Sequence, residues 1–178
     1  MDLYSYKDNP LYMDRYERSK KWVKILPMVG RPLQTSELIE IQSLLADHQK
    51  QLLNTIYKSG TIISGLDIIV ISSTSDSINL SITEGQIYIE GFVIDIEASS
   101  QVIPTTGTHI IGVLLDELII DERDDITLRQ GATSYGLEGS SRLIWEAFIT
   151  LNDPRAIPIA SVIEGQLVLP SSTRQSKI

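Results

Sequence analysis

The spacing of apolar residues changes character along the chain, and each change predicts a different kind of structure. From Met1 to about Leu33 there is no sustained period: Tyr4, Tyr6, Tyr12, Tyr16 and Trp22 are scattered among charges, and Pro10, Pro27 and Pro32 interrupt any helix. The pattern predicts an extended arm. Large rings cover wide areas once they meet a surface, so the arm is expected to dock, on its own chain or on a neighbouring one. From Thr35 the pattern turns helical: Leu38, Ile41, Leu45, His48 and Leu52 follow steps of three and four, with Ile39, Leu44, Leu53 and Ile56 widening the stripe. Thr35 or Ser36 offers an N-cap, Glu37 and Glu40 put negative charge in the first turn, and Gly60 supplies the stop. Two readings of the stripe stay open: an amphipathic helix lying on its own sheet, or a short coiled-coil-like seam between copies.

After Gly60 the pattern becomes that of strands. Thr61 to Ile63, Asp67 to Ser72, Ser77 to Thr83, Gln86 to Ile89 and Phe92 to Ile96 are rich in β-branched residues. In the third of these, Ile78, Leu80 and Ile82 alternate with serine and asparagine, the period of a sheet with one wet face. Glu84-Gly85 and Glu90-Gly91 predict tight turns, and the polar stretch from about Ala98 to Thr108 predicts a loop or sub-domain junction. His109 to Ile120, Leu143 to Leu151 and Ala156 to Leu169 supply further apolar runs, the last split by Glu164-Gly165. The fold class that follows is α+β and mainly β. It comprises an arm and one amphipathic helix over residues 1–60, an antiparallel, sandwich-like β-region over 61–170 with a junction near 98–108, and a polar tail over 171–178.

Composition narrows the function more than it identifies it. With 178 residues, 42% of them hydrophobic, the chain can bury a core, and a net charge of −8 without a basic tract longer than Lys20-Lys21 argues against nucleic acid or anionic membrane as partners. The absence of cysteine removes disulfides, thiolate zinc sites and cysteine nucleophiles together. Met1 to Met13 lacks the apolar core of a signal peptide and no window reaches the length of a membrane span, so a soluble protein made in the cytoplasm is expected. The cluster Asp121, Glu122, Asp124 and Asp125 is the most tempting cation site, yet it lacks EF-hand spacing and has Arg123 at its centre. His48 falls on the helix stripe and His109 opens a strand, neither with a catalytic companion in the sequence. No nucleophile elbow, Walker loop, zinc-helix motif or dinucleotide fingerprint occurs, and Gly131, Gly136 and Gly139 suit an irregular loop. No catalytic residue, metal or cofactor is therefore assigned, and the expectation is a protein that is not an enzyme.

Two stretches carry a resemblance. Tyr12 to Gly65 (YMDRYERSKKWVKILPMVGRPLQTSELIEIQSLLADHQKQLLNTIYKSGTIISG) is similar to the N-terminal region of a domain of unknown function found in tailed-phage baseplate and tail-fibre proteins, and Leu128 to Leu143 (LRQGATSYGLEGSSRL) resembles a later stretch of the same family. Gly30, Arg31, Pro32, Leu33 and Gln34 match the turn before the helix, Glu37, Leu38 and Glu40 its opening, Gly60 its stop, and Tyr135, Gly136, Arg142 and Leu143 the later loop. Ser140-Ser141 departs from the Gly-Ala pair expected there, and no long receptor-binding region follows Ile178, which favours an attachment piece over a whole fibre. The resemblance implies a structural protein of the virion tail, a baseplate or tail-fibre attachment subunit. Its partners would be itself, as a homotrimer, and other tail proteins, through Leu38, Ile41, Leu45, His48, Leu52, Tyr12, Tyr16 and Trp22. Two other functions are weighed. A receptor- or carbohydrate-binding β-module would need exposed aromatics among Tyr88, Phe92, Tyr135, Trp145 and Phe148. A cell-wall-polymer hydrolase would need a carboxylate pair from Asp121 to Asp125.

Overall fold

The computed structural model describes residues 11–129 and 139–169. One helix, α1 (Thr35–Leu53), precedes ten strands: β1 (Thr61–Gly65), β2 (Ile68–Ser73), β3 (Ser77–Ile82), β4 (Gly85–Ile89), β5 (Phe92–Ile96), β6 (Ser99–Pro104), β7 (Thr108–Ile120), β8 (Arg142–Leu151), β9 (Ile157–Ile163) and β10 (Gln166–Val168). The strands form three antiparallel sheets, in the orders β1-β4-β5, β2-β3-β6 and β10-β9-β7-β8. The fold is α+β and mainly β, as expected, with the sheets closing on one apolar core.

Period-two patterning explains that core. In β3, Ile78, Leu80 and Ile82 are buried while Ser77, Asn79 and Ser81 alternate outward. Ile62, Ile87, Ile89 and Ile96 join them from the first sheet, Ile103 from β6, and Ile111, Val113, Leu115, Ile149, Ile159 and Val162 from the third. β7 is buried without alternation from Ile111 to Leu115, because it is flanked by strands on both sides and packed on both faces. Beyond that point the β7–β8 hairpin runs out of the core, and Leu118, Ile119 and Leu143 are exposed.

Four local expectations need correcting. The helix starts one residue earlier than read, with Gln34 at the N-cap, because the Glu37 carboxylate reaches back to the Gln34 N–H at 2.8 Å. It ends at Leu53, not at Gly60. Asn54 to Tyr57 turn back on the last helical carbonyls, so Ile56 lies beyond the helix and Gly60 leads into β1, its N–H bonded to the Tyr88 carbonyl at 2.8 Å. The stretch near 98–108 contains strand β6, paired with β3 along its length. Its polarity reflects a wet outer face, with Ile103 as its one fully buried side chain. Glu90-Gly91 and Glu164-Gly165 are two-residue hairpin turns with both residues at positive φ. Glu84-Gly85 is instead a passage between sheets, since β3 pairs with β2 and β6 while β4 pairs with β1 and β5.

Candidate interaction surface on the helix and arm

The arm is tied to the helix by polar side chains. Tyr16 is 7% exposed, and its hydroxyl donates to Asp47 Oδ2 at 2.9 Å. Ser43 donates to Asp14 Oδ2 at 2.6 Å, and the Arg15 guanidinium pairs with Glu40, which is 2% exposed. Burial, and then the bond to Asp47, push the Tyr16 phenol up to about 12. Gln51 Nε2 also donates to Asp47, at 2.5 Å. A little further out the Tyr12 hydroxyl donates to Ser141 Oγ at 2.8 Å, tying the arm to the chain just before β8. Trp22 is half-buried with Lys20 Nζ 5.1 Å from its ring centroid.

These contacts turn the helix round. Glu40, Ser43 and Asp47 follow steps of three and four, so they share a face, and that face with Leu44 lies under the arm. The stripe read from the sequence faces the other way: Leu38, Leu45 and Leu52 are 47%, 59% and 70% exposed, with Ile41 and His48 half-buried between them. Seven-residue spacing at 1.5 Å per residue makes this an apolar line about 20 Å long. The helix does not lie along a sheet. It meets the β-region near its C-terminal end, where Gln49 Nε2 donates to the Gly91 carbonyl at 2.8 Å, Lys50 pairs with Glu90, and the Tyr88 hydroxyl donates to Asn54 Oδ1 at 2.7 Å. Gly91 permits this approach, because a Cβ there would come within 2.9 Å of Lys50 Cβ.

Between Tyr16 and Gln34 the chain makes a loop. Gly30, at φ +79, supplies the third position of a turn closed by the Arg31 N–H on the Met28 carbonyl at 3.2 Å; Arg31 and Pro32 are exposed, and Gln34 begins the helix. The resembling Gly-Arg-Pro-Leu-Gln run is thus a turn that feeds α1. Val23, Leu26, Met28 and Val29 project into solvent. Arg142 opens β8 and donates to the carbonyls of Ser140 and Ser141 at 2.6 and 3.3 Å. Tyr135 and Gly136 lie outside the described residues.

Elsewhere the candidates from the sequence are absorbed by local structure. The Asp121 carboxylate is held by the Arg123 backbone and guanidinium, which keeps it below the usual carboxylate range, and Asp125 accepts from the Thr127 N–H and hydroxyl. The two ends of the cluster are therefore engaged in turn bonds. His109 Nε2 lies 3.0 Å from the Thr106 carbonyl and Nδ1 3.1 Å from Asn152 Nδ2, a pairing that selects the Nε2–H tautomer and ties β7 to the turn before β9. Of the aromatics in the β-region, Tyr88 is buried, Phe92 packs edge-on against Trp145, and Phe148 is 43% exposed. A half-open groove of about 470 Å³ lies between Lys58–Thr61 and β9, lined mainly by Ile110, Ile157, Pro158 and Val168. No helix among the described residues is long and apolar enough to cross a membrane.

The sequence reading missed the buried polar face. Its signal was present, since Glu40, Ser43 and Asp47 repeat at helical spacing and Asp14, Arg15 and Tyr16 offer matching chemistry. In comparisons with known proteins, the model of a family described as a domain of unknown function (DUF4815) matches residues 10–177. No curated protein matches the chain.

Proposed function

This chain belongs to the DUF4815 family, and from that premise we propose that it is a non-catalytic assembly subunit of a tailed-phage tail, a baseplate or fibre-attachment component that binds copies of itself and neighbouring tail proteins. One observation carries the reading: a single copy leaves the heptad line Leu38, Leu45 and Leu52 in water while burying the polar face of the same helix. Burying a leucine is worth roughly 1.5–3 kcal/mol, so three in a row favour a partner surface of the same kind. Identical lines from three copies would meet along a common axis, which is the expected homotrimer. The tail as its place rests on the likeness of Tyr12 to Gly65 to baseplate and fibre proteins.

Light scattering on the full chain tests the assembly step. The expected result is a trimer that Leu45→Glu together with Leu52→Glu converts to a folded monomer. A wild-type chain that stays monomeric at every concentration overturns the reading, as does a trimer indifferent to both substitutions. Imaging of assembled tails carrying a label on this chain tests the location, and absence of label from the baseplate and fibre-attachment region overturns it.

A further inference from the structure

Charge is divided unevenly along this chain. The loop region from Arg15 to Leu33 holds six basic residues and one acidic one, whereas Ser59 to Glu122 holds ten acidic residues and no lysine or arginine. The loop is also apolar at its centre: Val23 and Leu26 are each 74% exposed and Met28 61%. From Val23 to Pro27 no backbone group bonds to another of the described residues. The loop is held at Tyr16 on Asp47 and at Gln34, about 20 Å apart along α1. Its seventeen residues, Glu17 to Leu33, could extend more than 50 Å. It has the slack to project well away from its own helix.

The complementary surface is the outer edge of β2. That strand ends its sheet and is exposed along most of its length, with Ile69, Val70 and Ile71 at 54%, 45% and 58%. Edge strands are normally guarded by charge, proline or a bulge. β2 has a bulge between Val70 and Ser72 but neither charge nor proline from Ile68 to Ser73. Among the other outer strands, β5 and β8 carry charges, β6 ends in proline, β10 has three residues, and β1, also uncharged, has Thr61 and Ile62 buried. Acids lie near both ends of β2: Asp67 directly precedes it, Glu84 lies beside Leu66, whose N–H its carbonyl accepts at 3.2 Å, and Asp76 lies in the turn that follows.

We propose that the loop of one copy adds as a strand to the β2 edge of a second copy. Trp22 to Leu26 would supply the backbone pairing, which Pro27 terminates because it has no N–H. Lys20, Lys21 and Lys24 on one side and Arg31 on the other then reach the acids at the two ends of β2. Loop and edge are different patches, so the contact is head-to-tail, and a 120° rotation between copies would close it into a trimeric ring. The inference rests on the self-assembly reading above and names a second contact within it.

Charge exchange tests it in the full chain, by sedimentation velocity at about 50 mM and about 500 mM salt. Reversing the loop (Lys20→Glu, Lys21→Glu and Lys24→Glu) is expected to weaken association at least tenfold at low salt, and so is reversing the edge (Asp76→Lys with Glu84→Lys). A chain carrying both sets is expected to recover wild-type association, a rescue that a merely structural role does not produce. Ile69→Thr with Ile71→Thr provides an uncharged second variant, expected to weaken association with the unfolding midpoint unchanged. Association untouched by loop reversal, or no recovery in the combined chain, overturns the docking while leaving the helix-line reading to Leu45→Glu with Leu52→Glu, measured alongside. A monomeric wild-type chain overturns both. Binding to anionic vesicles or duplex DNA that loop reversal abolishes without changing the mass of the chain in solution overturns the docking alone, since the loop then serves another class of partner.

Discussion

The β-region and the helix with its arm treat their apolar residues in opposite ways. In the β-region the core aliphatics turn inward, and Leu80, Ile82, Ile87 and Ile103 are wholly buried, with exposed ones such as Ile69, Ile71, Leu118 and Ile119 on β2 and at the outer end of the β7–β8 hairpin. In the helix and loop, Glu40 and Ser43 are buried while Leu38, Leu45, Leu52, Val23 and Leu26 face water. A sheet region that closes three faces on one core covers most of its own apolar surface. A helix attached by ion pairs and hydrogen bonds on its polar side keeps its apolar side available. The first arrangement is that of a scaffold, the second that of a connector.

Breaking the scaffold should have the largest effect. Leu80→Ala leaves a cavity at the centre of the core and is expected to cost about 2–5 kcal/mol in urea unfolding, with helix and sheet probes lost together. On the connector, Arg15→Met leaves the buried Glu40 carboxylate without its guanidinium and is expected to lower stability by less than the core cavity does. Hydrogen exchange should place that loss in α1 and the arm, with β3 and β7 unchanged; a loss spread through the sheets would merge the two regions. Alkali should act on the connector as well. Tyr16 titrates near 10 when unfolded and about 12 when folded. Its contribution is complete below pH 10 and disappears as pH rises from 10 to 12, roughly 2–3 kcal/mol at most. Tyr16→Phe should cost about 0.5–1.5 kcal/mol at neutral pH and remove that alkaline step. The smallest expected effect sharpens the contrast most: Leu45→Glu with Leu52→Glu should move the stability of the monomer by no more than about 0.5 kcal/mol per site while abolishing self-association.

Much of the scaffold was legible because strand patterning is local. The alternation Ile78, Leu80, Ile82 marks its buried face without knowledge of any neighbour, and Glu90-Gly91 and Glu164-Gly165 mark their hairpins by requiring positive φ. Strand β6 was hidden because only Ile103 of its residues is fully buried, and burial of one side chain leaves no period to read. Likewise nothing within Glu84-Gly85 distinguishes a hairpin from a passage between sheets, since that depends on which strands pair.

The candidate surface divides the same way. Composition and spacing determined that there is one helix with a heptad line at Leu38, Leu45 and Leu52, an aromatic and basic arm before it, and a β-rich remainder. Periodicity is carried by the chain itself. Which side of the helix would be covered was decided only in three dimensions, when Arg15 and Tyr16 came within hydrogen-bonding reach of Glu40 and Asp47. A hydrophobic stripe specifies a face that prefers to leave water but not what will cover it. Long-range polar pairing settles that choice, because its energy depends on distances that sequence spacing does not encode.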